Sequence, residues 1–205
     1  MKINAIAIAA GLLAAVSLTG CVAPTQNIDM QNDRGGAVAG LDYRDVNNAV
    51  NQMLQSLIGS GRLDRTDGGM YVMAIGKVKN DTMQRFDTDS VTSYIAEELT
   101  NSGKVLVTSA MAASADNRDA MIDATRSVRS DAEFNQATVA AQGQLVAPTH
   151  SLFGKIGQRE IPMDGRRKQV EYTFQLNITD LATGLIWWQK QVVIGKRTDK
   201  STPTW

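Results

Sequence analysis

The chain is 205 residues long and contains one cysteine and one histidine. A single cysteine excludes an intramolecular disulfide. The pair Cys21 and His150 is too small a set for the zinc sites that combine several such ligands. Neither sign of charge is in excess, with 21 Lys and Arg against 21 Asp and Glu. That balance argues against general nucleic-acid binding, which needs many phosphate-neutralising cations. Aromatic residues are scarce at 5%, but 43% of the chain is hydrophobic, enough for one compact core. Beyond the N-terminal segment, no apolar run approaches the roughly 18 residues that a membrane-spanning helix needs. No glycine-rich phosphate loop is present, since Gly59-Ser60-Gly61 reads as a helix stop. A Ser-His-Asp arrangement is also missing. Asp116, Asp119 and Asp123 share the spacing of one helix face and read as a solvated face rather than a calcium or acid–base site. The lone His150 reads as a surface or capping residue. The sequence therefore offers no catalytic residue, metal ligand or small-molecule cofactor site, and the chain reads as non-enzymatic.

What is present begins at the N-terminus. Lys2 supplies a short cationic region, and Ala5 to Val16 is an uncharged apolar stretch too short for a permanent membrane span. Leu18-Thr19-Gly20-Cys21 follows. This layout resembles the signal peptide and lipobox of bacterial lipoproteins. It implies that residues 1–20 are removed and that Cys21 carries a covalent diacylglycerol and an N-acyl lipid. Several acyl chains hold a protein on a membrane stably, at about 0.8 kcal/mol per buried CH2. Val22, not an aspartate, follows the cysteine, which by the sorting pattern of this class implies the periplasmic face of the outer membrane.

Residues 21–40 read as a lipidated flexible linker, rich in Gln, Asn, Asp and Gly and poor in apolar residues. The 19 residues from Val22 to Gly40 reach at most roughly 65 Å when extended, and about 25 Å as a coil. Residues 41–205 read as one globular domain. Val46, Ala49, Val50, Met53, Leu54, Leu57 and Ile58 keep helical spacing. A strand is expected over Met70 to Val78, and a helix carrying Val91, Ile95 and Leu99 follows Asp87 and Asp89. Val105 to Val107 reads as a short strand. A polar helix is expected over Asp116 to Arg129 with Met121 and Ile122 inward, and Ser130-Asp131-Ala132-Glu133 resembles a capping box opening a further helix to about Ala141. His150 to Arg159 reads as a strand. Val170, Tyr172, Phe174, Leu176 and Ile178 then alternate with polar residues. After the turn Asp180 to Gly184, a last strand is expected over Leu185 to Ile194, with Ile186, Trp188, Val192 and Ile194 on one face. Two consecutive hairpins with flanking helices imply an α+β fold, a mainly antiparallel sheet flanked by helices.

Gly76-Lys77-Val78-Lys79-Asn80-Asp81-Thr82, Phe86-Asp87-Thr88, Asn101-Ser102-Gly103-Lys104-Val105, Leu176-Asn177-Ile178-Thr179-Asp180 and Thr183-Gly184-Leu185-Ile186-Trp187-Trp188 stand in the order and spacing of one family. Together with the lipobox they resemble the LpoB family, outer-membrane lipoprotein activators of class A penicillin-binding proteins, over roughly Leu41 to Lys196. The resemblance implies a domain like the N-terminal domain of TolB. It also implies a protein partner, a class A penicillin-binding protein whose peptidoglycan synthesis is raised by contact alone, with no nucleic-acid partner and no small-molecule substrate. The short linker departs from the long proline-rich arm of well-known members. A rival reading from another class is a CsgG-like component of an envelope assembly or secretion complex. That class needs amphipathic membrane-inserting strands, which the sequence does not show.

A contact surface needs apolar anchors and charges together. Two turn regions supply them, one holding Asn80, Asp81, Arg85 and Phe86, the other Arg159, Arg166 and Arg167. Phe86 is read with equal weight as an inward-packing helix staple. The anchor reading generates a direct expectation. Cys21→Ala abolishes labelling by a fatty-acid analogue in cells and leaves an unprocessed precursor; labelling equal to the wild type refutes it.

Overall fold

The computed structural model describes residues 28–30, 38–112 and 118–204. The signal peptide, Cys21 and Asp116 lie outside the described residues. The chain divides into a short unit, Met1–Arg34, and a compact one, Gly35–Trp205.

In the compact unit, α1 spans Tyr43–Gly59, β1 Tyr71–Asp81, α2 Thr88–Asn101, β2 Val105–Val107, α3 Met121–Ser127, β3 His150–Pro162, β4 Arg167–Asp180 and β5 Ile186–Asp199. Helix α1 starts at a capping box, in which the Asp42 side chain accepts from Asp45 N–H and the Asp45 side chain accepts from Asp42 N–H. Its stripe of Ala49, Val50, Met53, Leu54 and Leu57 is buried. Helix α2 is capped by Asp87, whose side chain accepts from Asp89 N–H, and it buries Val91, Thr92, Ile95 and Leu99.

The strands form one sheet in the order β2-β1-β3-β4-β5. Strand β1 runs parallel to both β2 and β3, while β3-β4 and β4-β5 are antiparallel hairpins. The sheet is therefore mixed, and the antiparallel expectation describes only its hairpin half. The reason is topological. A parallel pair needs a crossover, and two are present: α2 carries the chain from β1 to β2, and residues 108–149 carry it from β2 to β3.

One sheet face holds the core. Val170, Tyr172, Phe174, Leu176 and Ile178 of β4 are all buried, and Leu152, Ile156, Met73, Val78 and Trp188 join them from neighbouring strands. Helix α1 packs over β4 and β5, and α2 over β1 and β2. Strand β3 lies close to both neighbours: a Cβ on Gly76 of β1 would stand 2.8 Å from the Leu152 carbonyl oxygen, and one on Gly154 of β3 would stand 2.7 Å from a Leu176 methyl of β4 and 3.3 Å from a Val78 methyl of β1. Strand β1 bulges there, between Ile75 and Val78.

Three expectations fail in informative ways. No helix follows Ser130 among the described residues; after the 3-10 turn Val128–Ser130 the chain runs as turns to Thr149. Glu133 N–H, which the Ser130 cap would have accepted, donates to Asp131 Oδ1 in a local turn instead. Met121 does not face inward but is 65% exposed, and no described residue from 106 to 149 is buried. Without an apolar stripe, a segment of this length cannot gain enough from packing to hold helix. Ile186 is also exposed rather than on the core face, because Ile178 pairs with Trp188 while Thr179 pairs with Ile186. Trp187 is the extra residue of this bulge, which reverses the alternation before it. Both tryptophans consequently reach apolar surroundings, Trp188 within the core and Trp187 packed against it.

Phe174 is 2% exposed on the covered face and Gln175 is half-buried on the other. Phe174→Ala lowers the unfolding free energy by about 3–5 kcal/mol, whereas Gln175→Ala, which loses one hydrogen bond to Asn177, costs about 1 kcal/mol. Equal denaturant midpoints for the two variants contradict this assignment of faces.

Candidate functional site

The two candidate regions lie toward the same end of the sheet. Parallel pairing sets Asp81, the last residue of β1, against Gly157 of β3, and β3 runs on to the hairpin tip. Met83 N–H donates to Gln158 Oε1 at 3.1 Å, tying the turn after β1 to β3 next to Arg159. Arg166 and Arg167 lie further out: Pro162, five residues past Gly157, stands about 17 Å along the strand.

The first region splits by role. Asn80 points to the covered side and builds the turn: its Nδ2 donates to the Gln84 carbonyl at 2.8 Å, and its Oδ1 accepts from Thr82 N–H at 3.0 Å. Gln84 in turn bridges the chain entry, accepting from Leu41 N–H at 2.7 Å and donating to the Leu41 carbonyl at 2.8 Å. Asp81 lies on the uncovered face and pairs with Lys155 at 2.5 Å; the Lys155 hydrogen bond and charge hold its carboxyl below the usual range. Arg85 is exposed. Phe86 is half-buried at the residue before the Asp87 cap. It lines a cavity of about 180 Å³ between the starts of α1 and α2 with Leu41, Tyr43, Val46, Val91 and Tyr94. Phe86 and Val91 stand where a hydrophobic staple has its two residues, so the geometry favours packing over an exposed anchor.

In the second region, Arg159 is 72% exposed and pairs with Glu171 at 2.7 Å across β3 and β4. The hydrogen bonds from Arg159 and then Gln169 lower the Glu171 pKa. Exposed pairs of this kind contribute little to stability. Arg166 and Arg167 are exposed at the hairpin tip, where the Arg166 carbonyl accepts from Lys200 N–H.

Residues absent from the sequence reading complete this surface. A shallow groove of about 480 Å³ crosses the uncovered face, lined by Lys155, Gly157, Arg159, Glu171, Thr173 and Val193 among others. Its signal in the sequence was the alternation of β3, where Lys155, Gly157 and Arg159 stand opposite in parity to the buried Leu152 and Ile156. The described acidic residues Asp119 and Asp123 are held locally: Asp119 Oδ1 accepts from Met121 N–H and Asp123 pairs with Arg118. Among the described residues, no group of three or more His, Cys, Asp or Glu is placed to hold a metal ion.

His150 is buried, not at the surface. It is 4% exposed at the opposite end of the sheet, its ring 4.8 Å from Tyr71 and 4.7 Å from Trp187. Arg65 stacks over Tyr71 and Arg62 over Trp187. Nδ1 meets Thr149 Oγ1 at 2.9 Å, and Nε2 is buried with no hydrogen-bond partner among the described residues. Burial lowers its pKa, aided by Arg65 and opposed by Asp180.

The fold and its surface define a small α+β domain that presents charged turns and an uncovered sheet. A model of the family described as peptidoglycan-synthase activator LpoB matches residues 45–194. The chain belongs to that family. Among solved structures it is similar to the LpoB C-terminal domain from Escherichia coli, at 17% identity over 74% of this chain and 99% of that one, TM-score 0.42. It is similar to the corresponding domain from Salmonella enterica at 14% identity, over 73% and 98%, TM-score 0.41. A third similarity is to the PelC dodecamer from Paraburkholderia phytofirmans, at 14% identity over 62% and 73%, TM-score 0.33. No curated protein matches the chain.

Two measurements follow. Phe86→Ala lowers stability by about 1–2 kcal/mol, the transfer cost of a half-buried aromatic, while the folded fraction keeps its partner affinity; lost affinity at unchanged stability refutes the staple. His150 has a folded pKa below its ordinary 6.5, so the unfolded chain binds more protons. Its contribution to stability is therefore full above that ordinary value and is lost as pH falls below it. The wild type loses stability from pH 7 to 5 more steeply than His150→Gln, and parallel profiles by thermal melting refute this.

Proposed function

We propose that the chain is a lipid-anchored, non-enzymatic activator of peptidoglycan synthesis, which binds a class A penicillin-binding protein and raises its glycan polymerisation and crosslinking by contact. The observation that carries this reading is the family match over residues 45–194, which takes in both main helices and the sheet as far as Ile194. The lipobox-like Leu18-Thr19-Gly20-Cys21 supports the anchor, and Val22 supports the periplasmic face of the outer membrane. No helix among the described residues is long and apolar enough to cross a membrane. Candidate contact residues are Asp81, Arg85, Arg159, Arg166 and Arg167, with Asn80 and Phe86 acting through the shape of the turn. Rim charges of this kind set association rate and salt dependence more than dissociation.

The test adds the full-length lipidated chain, in detergent, to the class A penicillin-binding protein of the same bacterium and follows glycan-chain formation from lipid-linked precursor. Stoichiometric addition raises the initial rate several-fold, and in-cell crosslinking recovers the synthase. An unchanged rate, with crosslinking that yields only a homo-oligomeric ring, refutes the proposal in favour of an assembly or channel component.

A further inference from the structure

The two long described helices pack on one face of the sheet, and no described helix packs on the other, where Asn177 alone of the strand residues is buried. An uncovered antiparallel face is ordinary when it is evenly polar. This one is not. Across it, Asp81, Gly157, Thr173 and Val193 form a straight cross-strand row through β1, β3, β4 and β5. A Cβ on Gly157 or Gly195 would touch nothing within 4 Å, so the glycines leave open floor rather than tight packing. Around that floor, Phe153 is 41% and Val193 52% exposed. Lys155 and Arg159 stand on β3 two residues to either side of Gly157, each joined to a carboxylate, Asp81 and Glu171.

The charge of the molecule is also sorted between its faces. By strand parity the uncovered face carries Lys79, Lys155, Arg159, Arg167 and Arg197 against three carboxylates, Asp81, Glu171 and Asp199. Lys79, Arg167 and Arg197 make no ion pair with a described carboxylate. Helix α2 and its cap carry Asp87, Asp89, Glu97 and Glu98 with no Lys or Arg. Interspersed carboxylates and apolar side chains do not suit an anionic bilayer, which selects clustered cations. They suit a protein surface, where an excess of one sign steers docking and apolar atoms hold it.

We propose that the uncovered face around Gly157 is the surface on which the chain receives its synthase, and that the occupant is an acidic, protruding element of that partner. A carboxylate of the partner sits over Gly157 between Lys155 and Arg159, and apolar atoms beside it rest on Phe153 and Val193. This rests on the activator reading above and assigns that reading its face.

The experiment measures binding of the full-length lipidated chain to the purified periplasmic ectodomain of the class A penicillin-binding protein from the same bacterium, by surface plasmon resonance at several salt concentrations. Gly157→Phe fills the floor, where an added Cβ meets nothing within 4 Å, and weakens binding at least tenfold with the thermal midpoint unchanged. Lys155→Glu with Arg159→Glu, an exposed change, slows association at least tenfold and flattens its salt dependence. Glu97→Lys with Glu98→Lys on α2 binds within twofold of the wild type. If the wild type binds and both face variants match it, the face is wrong and the activator reading stands. No binding by the wild type removes the activator reading and this proposal with it. If the face variants instead dissolve a self-associated form, or release the chain from phosphatidylglycerol vesicles while synthase binding persists, the occupant is a second copy or a lipid surface and the proposal is overturned.

Discussion

The parallel seam between β1 and β3 is the constraint on which the rest of the molecule depends. It is where the crossover half, β1-α2-β2, joins the hairpin half, β3-β4-β5. A side chain at Gly76 would meet the Leu152 carbonyl oxygen across this seam at 2.8 Å, and one at Gly154 would meet Leu176 and the Gln175 carbonyl of β4 at under 3 Å, so two glycines set how closely β3 lies against both its neighbours. The bulge between Ile75 and Val78 shifts the register there, and the remainder of β1 then sets Asn80 and Asp81 on opposite faces opposite Ile156 and Gly157. Asn80 is thereby committed to building the turn and Asp81 to the surface. A seam slipped by one residue would exchange them.

A second anchor holds the helical layer in place. Lys196 of β5, its side chain 11% exposed, pairs with Asp45 of α1 and donates to the carbonyls of Val38 and Gly40, the latter at 2.6 Å. One ammonium thus binds the chain entry, the first turn of α1 and the outermost strand. Three oxygen partners match its three donors, which is what makes burial of the charge tolerable. With α1 fixed over β4 and β5, and α2 over β1 and β2, both apolar helix stripes are spent on one side. Among the described residues no third amphipathic helix covers the other, and the short helix Met121–Ser127 buries no residue. The open sheet face is a consequence of that shortage.

How far the sequence could be read followed the range of the interactions involved. The strand carrying Phe174 was legible because its alternation is strict and each choice is local. The helices carrying Leu57 and Ile95 were legible for the same reason, their stops marked by Gly61 and Gly103, both at positive φ. The parallel pairing of β1 was not legible, since nothing in a strand's own residues says which neighbour it meets or in which direction. A capping-box pattern at Ser130 was a local signal without an apolar stripe behind it, and packing decided against it. The bulge at Trp187 turned on one inserted residue, which alternation alone cannot locate. His150 misled because scarcity suggested a surface residue, whereas its parity with Leu152 placed it inward. Of the candidate site, the charged positions Asp81, Arg159 and Arg167 were readable as exposed turn and strand residues, but the floor between them was not. Gly157 becomes notable only when four strands are laid side by side.

The placement of the chain entry bears on how such a surface can be presented. Gln84 grips both backbone groups of Leu41, and Lys196 grips Val38 and Gly40, so the chain is already fastened to the sheet at Val38. On the proposed function the residues before Val38 serve as the tether, and the 16 residues from Val22 to Ala37 would span at most roughly 55 Å fully extended. The entry is fastened to the turn at Gln84 and to β5 opposite Val170, toward the end of the sheet that also holds the β3–β4 hairpin. On the proposed function, tether and contact residues therefore share one end of the domain, and His150 with its aromatic neighbours lies at the other. A short tether fixed at the docking end restricts the volume the docking face explores, which raises its effective concentration for a partner within reach and removes it for one beyond. Selectivity for a partner then resides in distance as well as in charge.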